Sequence, residues 1–396
     1  MFQKTKTIST RQLAILVFII SLSVKLFSLP ILMLQSGGRV AWLPLVVFII
    51  VDILILGALI AVSRLRPNST AFETMQAVLG KVLSRVVFAI VLIGLIFRAL
   101  SLMFNIVDFF RFDLFDGVPQ WILLLPVALL MIAFGARSLR TLGRTGEVLI
   151  FLIVPALVIL LVFMAKIANP VQLLPLLNNG DSPDLARTFL SFAFFFGDIS
   201  AIFIAVGKID PLRKTQSADV SKTDGHNQLL NPENAETVNK GFHPLAIFSC
   251  VIGAIFTIGY GLMLFSSYMP VRHIISPNSV SFVTHTAVSR FAFGRFDKIL
   301  FVILSSCMLI TLGVVTHAAN RTIKFIVPKF KLSVIALVLA LGLYITAVFL
   351  NTNSFFDFVK DFGIYIVSIT SGGFILLLLI CAIIKRERKY DSHEKN

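Results

Sequence analysis

Four ionisable side chains, Lys25, Asp52, Arg98 and Asp198, stand in otherwise apolar sequence. Each lies near the middle of a hydrophobic run long enough to cross a bilayer, where a charge facing lipid is costly and therefore turns inward towards a partner. Two are cationic and two anionic, so they can neutralise one another or hold the charged ends of a small ligand. The run that contains Lys25 also contains Ser21, Ser23, Ser28 and Pro30. Ser21, Lys25 and Ser28 follow i, i+4, i+7, which puts them on one face of a continuous helix and around one turn of an unwound one. A broken, charged segment is tolerated inside a bilayer only where it faces protein or a water-filled cavity. Ser21–Pro30 is therefore expected to form half of a ligand site.

Two other runs supply neighbours for it. Gly94, Arg98, Ser101, Asn105 and Asp108 follow i, i+4, i+7, i+11, i+14 and share one helical face. Such a face lines a cavity or forms a packing seam between helices; the presence of both Arg98 and Asp108 favours the cavity. In the sixth run, Gly197 precedes Asp198 within Phe194–Ser200, a sequence that suits local unwinding around a carboxylate or a kink whose acid is paired to a base. The ligand-binding set expected from these patterns is Ser21, Lys25 and Ser28 from the first run, Arg98, Ser101 and Asn105 from the third, and Gly197 and Asp198 from the sixth. Lys25 has several open roles: counter-ion to Asp52 or to Asp198, holder of a ligand carboxylate, or a tethered cation in place of a coupling sodium ion.

This is chemistry of binding, not of bond making. The sequence contains no nucleophile–base pair, phosphate-binding loop or HExxH spacing, so no enzyme, cofactor or metal is expected. Cys250, Cys307 and Cys381 all fall in apolar runs, odd in number and without ligand spacing, as small buried apolar residues do.

The elements that position these residues follow from hydropathy. The chain of 396 residues is 57% hydrophobic and 14% charged, well below the roughly 25% charge of a soluble domain. An all-α polytopic membrane protein follows. Ten segments are long enough to span: about 12–34, 42–63, 86–110, 120–136, 147–167, 187–207, 244–267, 297–318, 332–350 and 364–384. They form a single membrane domain. No cleavable signal is expected, because the first run is long and lacks a small-x-small site after it.

The net charge of +15 raises nucleic acid as a partner, but its distribution points to the bilayer instead. With both termini placed in the cytoplasm, 24 of the 35 Lys and Arg residues fall on the cytoplasmic side, as the positive-inside rule requires. Trp42 and Trp121 then sit at outer ends as interfacial anchors. Residues 64–85 are expected to form a short interfacial helix and 208–242 a flexible cytoplasmic loop. The half-apolar outer piece 268–296 suits a re-entrant element or an ordinary long loop. The interruptions in spans one and six are five helices apart, and a five-helix unit inverts its own topology on repetition. Residues 12–167 and 187–384 thus read as two inverted repeats whose broken helices meet at the midplane.

In these features the chain resembles the spore-germination permease family, the integral B-subunits of nutrient-germinant receptors within the amino acid–polyamine–organocation superfamily. The resemblance is carried by Ile8–Leu13 leading into Leu26–Pro30, by Gly38–Trp42, by Arg144-Thr-Gly-Glu147 followed by Pro155, by Leu174–Gly180, by Phe195–Asp198 and by Arg290–Asp297. It implies a LeuT-type five-plus-five inverted repeat with helices one and six broken. It also implies a small nutrient, usually an amino acid, bound between spans one and six with help from three and eight. The implied partners are a larger membrane A-subunit and a lipoprotein C-subunit, and the implied setting is the inner membrane of an endospore. Members commonly carry glycine at the first break, where this chain has Ser21, Ser23 and Lys25, and an acidic residue where Val40 stands. An ammonium in the site changes which ligand charges fit.

Overall fold

The computed structural model describes residues 8–36, 42–66, 69–113, 115, 117–169, 171, 185–193, 196–208, 244–268, 296–349, 363 and 365–394. The helices are α1 (Thr10–Ser36), α2 (Trp42–Leu65), α3 (Ala71–Asp113), α4 (Gln120–Ala136), α5 (Leu139–Ile167), α6 (Leu185–Ala193), α7 (Leu245–Tyr268), α8 (Phe296–Ile326), α9 (Leu332–Phe349) and α10 (Phe374–Glu394). A 3₁₀ segment, Asp198–Ala205, completes the sixth span, and a π-helical turn, Ile369–Gly373, leads into α10. These are the ten expected spans. Among the described residues, nine are long and apolar enough to cross a bilayer, and α4, at 17 residues, is the short one. The chain is an integral, multi-pass membrane protein.

Polarity sorts the helices. The apolar stretch of α1 is 89% buried and that of α8 78%, against 28% for α5 and 28% for α9. The most interrupted helix is thus central, while uniformly apolar helices lie outside and turn Phe151, Val158 and Val338 outward. That order is the one lipid demands, since apolar side chains lose nothing by facing it and charges lose much. α1 packs along α7 and α8, and α3 along α8 and α10.

Three interruptions shape the centre. α1 leaves helical geometry at Ser23 (φ 0°, ψ −122°), inside the expected segment, and its backbone continues as helix through Pro30 to Ser36. The sixth span changes from α-helix to 3₁₀ helix around Gly197, which takes a left-handed conformation (φ 94°). α3 breaks at Gly80 (φ 78°), which separates an arm, Ala71–Leu79, from the long membrane segment. This arm falls where the interfacial helix of 64–85 is expected. It starts on a capping box: Thr70 N–H donates to Glu73 Oε2 at 2.8 Å, and Glu73 N–H donates to Thr70 Oγ1 at 3.3 Å. Phe72 anchors the arm against Phe88 (centroids 4.6 Å apart) and Phe325 (4.9 Å).

The loop expected over 208–242 lies outside the described residues apart from Lys208, as does the outer piece 268–296 apart from its two helix-end residues. Four segments behind the family resemblance also fall wholly or mostly outside them: residues 38–41, 174–180, 195 and 290–295.

Candidate functional site

The four buried charges form two ion pairs. The Lys25 ammonium, two residues beyond the α1 break, donates to Asp52 Oδ2 on α2. The second Asp52 oxygen, Oδ1, accepts the backbone N–H of Gly197 at 2.9 Å. Asp198, the next residue, accepts from Arg98 Nε and Nη2 in a two-pronged contact across to α3. All four side chains are buried. Consecutive residues at the sixth-span break therefore join one pair to the other.

Local chemistry explains why the chain runs this way. Breaking a membrane helix frees backbone N–H groups that lipid cannot satisfy. One of them, on Gly197, is taken up by the Asp52 carboxylate, whose other oxygen pairs with Lys25. Glycine is required there, since φ is positive and an added Cβ would approach Ser371 Oγ to 2.7 Å. The Lys25 ammonium also lies 4.5 Å from the centroid of the Phe196 ring, a cation–π contact that compensates part of its lost hydration.

The hydroxyl and amide groups divide between two neighbours. Ser28 Oγ donates to Asn105 Oδ1 at 3.1 Å, and Asn105 Nδ2 donates to Ser101 O at 2.7 Å, tying α1 to α3. Ser21 Oγ donates to its own helix at Phe18 O, 2.7 Å away. Ser21 presses against α7, where a Cβ on Gly253 would meet its Oγ at 1.8 Å. Ser23 Oγ is buried without a hydrogen-bond partner among the described residues. Cys250, Cys307 and Cys381 are buried and unpaired.

Two small cavities flank the Gly197–Asp198 junction. One, of about 20 Å³, is lined by Gly94, Arg98, Gly197, Asp198, Ser200, Thr370 and Ser371 among others. The other, of about 10 Å³, is lined by Ser21, Lys25, Ile49, Asp52, Cys250, Ala254 and Thr257. Each has room for about one water molecule. Among the described residues, the protein's own paired charges occupy this centre.

Of the sequence-expected residues, Ser21 and Lys25 reach the smaller cavity, and Arg98, Gly197 and Asp198 reach the larger. Ser28, Ser101 and Asn105 form the α1–α3 link instead. Among the described residues, α8 contributes only Val315 to the cavity linings, although it is one of the helices the resemblance implies. Asp52 on α2, Thr257 on α7 and Thr370–Ser371 before α10 are the additions. Asp52 stood out as a mid-span charge. The run Thr370-Ser-Gly-Gly373, small and polar within the last span, was the available signal for the π-helical turn, a feature frequent at functional sites.

Comparison with known proteins agrees with this architecture. MhsT in complex with L-phenylalanine superposes with a TM-score of 0.67 at 15% identity, covering 94% of this chain and 89% of that one. A Na⁺-coupled sialic acid symporter in a substrate-bound outward-open state gives 0.64 at 13%, covering 95% and 82%. Mhp1, a nucleobase-cation-symport-1 family transporter with bromovinylhydantoin bound in a closed conformation, gives 0.57 at 12%, covering 90% and 77%. At such identities the likeness establishes the fold, the LeuT-type five-plus-five inverted repeat with helices one and six broken. No curated protein matches the chain. The family model described as spore germination protein matches residues 7–218, more than half of the sequence, and the chain therefore belongs to that family.

Proposed function

We propose that the chain is the nutrient-sensing membrane subunit of a spore germinant receptor. It binds a small molecule, an amino acid, at the midplane between α1, α3, α6 and α8, and it signals to an A-subunit and a lipoprotein C-subunit. Its setting is the spore inner membrane with both termini in the cytoplasm, and it does no covalent chemistry. The observation that carries this reading is the joining of the two broken helices through Asp52 of α2, which holds Lys25 of α1 on one side and Gly197, next to the Arg98–Asp198 pair, on the other. Amino acids carry one charge of each sign, and this centre holds two cations and two anions in exchangeable pairs. Ligand entry opens the pairs: the carboxylate takes Lys25 or Arg98, and the ammonium takes the acid released. Membership of the spore germination family and the small-molecule ligands named for the structural neighbours support the same reading.

The test is ligand-induced thermal stabilisation of the purified chain across a panel of amino acids, comparing wild type with Lys25→Ala and Asp198→Asn. Stabilisation by one amino acid or a few, lost in both variants while they remain folded, supports the site. Equal affinity in wild type and both variants sinks it. A second reading, an amino acid permease working by alternating access, is favoured by the transporter neighbours. Robust uptake of the stabilising amino acid into proteoliposomes selects that reading over the receptor.

A further inference from the structure

A separate group of charges lies at the basic end of the bundle, away from the two central ion pairs. Arg66 follows α2, Lys208 follows the 3₁₀ segment of the sixth span, and α8 brings His317 and Arg321, spaced i, i+4, to the same face. Backbone packing draws these elements together. Gly207 (φ 73°) sits so close to the α2–α3 connection that an added Cβ would lie 2.5 Å from Ser69 O and 2.9 Å from Thr70 N. Arg66 Nη2 donates to Ser69 Oγ at 3.1 Å, and Ile8 N–H donates to Lys208 O at 2.9 Å. Phe72, beside the connection, stacks on Phe325, one turn beyond Arg321.

Among the described residues the group is short of negative charge. The acid among them whose charge acts on Lys208 is Glu73, and its carboxylate already caps the α3 arm. The charge of Arg321 acts on both Lys208 and the buried His317 one helical turn before it. Burial, with Arg321 adding to it, pushes the Lys208 ammonium down to about 8. Two guanidinium nitrogens, Arg66 Nη1 and Arg321 Nε, are buried with no partner among the described residues, and the buried His317 Nδ1 and Asn320 Oδ1 also lack partners. Water can satisfy such donors but leaves the charge uncompensated. A tetrahedral oxyanion does both, because it offers several acceptors to forked guanidinium donors. Basic pockets between membrane helices recognise anionic head groups by the same chemistry.

We propose that Arg66, Lys208 and Arg321 form a binding site for a phosphate-class oxyanion, presented as free phosphate or as an anionic phospholipid head group. The site is independent of the nutrient site, and either can fail without the other.

The experiment uses the full chain and measures Tm. In nonionic detergent, inorganic phosphate is titrated against chloride at equal ionic strength. In nanodiscs, phosphatidylcholine alone is compared with phosphatidylcholine containing phosphatidylglycerol. Stabilisation by phosphate identifies the free ion, and stabilisation confined to phosphatidylglycerol identifies the head group. In either case Arg66→Gln and Arg321→Gln each weaken the apparent affinity about tenfold. Lys324→Gln, which alters a side chain engaged with Pro328 O and Phe330 O, leaves that affinity unchanged. Lys208→Gln replaces either arginine variant that fails to fold. No stabilisation by either source, or stabilisation that survives all the substitutions, overturns the proposal.

Discussion

Asp52 holds two things at once: its Oδ2 takes the Lys25 ammonium, and its Oδ1 takes the Gly197 N–H at 2.9 Å. A side chain on α2 therefore fixes both broken helices relative to each other. Removing Lys25 strips the carboxylate of its counter-charge while leaving it buried, a change that costs about 3–5 kcal/mol. Lys25→Met is expected to lower Tm strongly. Lys25→Met with Asp52→Asn is expected to recover most of the loss, because the amide keeps an acceptor for Gly197 and carries no charge. Additive losses in the double variant would show that the pair is not coupled.

Arg98 and Asp198 make a two-pronged contact that a lysine cannot reproduce. Arg98→Lys retains the charge and loses the fork, and is expected to cost roughly 1–3 kcal/mol. Under the proposed mechanism, in which the ligand exchanges with this pair, it should also weaken nutrient-induced stabilisation. A variant with wild-type Tm and ligand response would remove the pair from the site.

Close backbone approaches give a steric prediction free of electrostatics. Gly253 on α7 meets Ser21 at a distance where a Cβ would lie 1.8 Å from the hydroxyl. Gly253→Ala forces α1 and α7 apart and is expected to destabilise by about 1–3 kcal/mol. Ser21→Ala removes the clashing oxygen, so the double variant should regain part of the lost Tm. If Ser21→Ala gives no rescue, α1 and α7 do not approach at this pair.

The contrast between these residues shows what the sequence could disclose. Lipid makes a strict demand on every exposed residue, so ten apolar runs, the anomalous charges and the breaks near Ser23 and Gly197 could all be read from residue type alone. Pairing could not. Hydropathy gives the depth of Lys25, Asp52, Arg98 and Asp198 but not the direction each helix turns, so both Asp52 and Asp198 stand as candidate partners of Lys25. The choice depends on α2 lying against the sixth-span break, a long-range packing relation. The same limit hid Thr257 and Ser371, whose hydroxyl groups are ordinary in membrane helices until another helix brings a cavity beside them.

Lys208 gives the pH dependence its sign. Its ammonium is pushed from 10.5 down to about 8 in the folded chain, so between these values the unfolded chain binds more protons than the folded one. Stability then rises as pH increases from about 8 to about 10.5, by an amount of order 3 kcal/mol. Lys208→Met should flatten this rise and raise Tm at neutral pH. The measurement is a Tm series over pH in chloride buffer without anionic lipid. A slope unchanged by the substitution would assign the dependence to another group.

The last prediction concerns ions. Lys25 places a covalently tethered cation beside the α1 break, held between Asp52 and the face of Phe196. A mobile cation drawn to the same carboxylate would have to displace an ammonium that is already desolvated and paired. The nutrient-induced rise in Tm should therefore be the same in sodium, potassium and choline chloride. In Lys25→Ala the Asp52 carboxylate is left uncompensated, and sodium should then stabilise the chain more than choline does. A wild-type response that requires sodium would show that a free ion is bound elsewhere in the core and that Lys25 serves only as the counter-ion of Asp52.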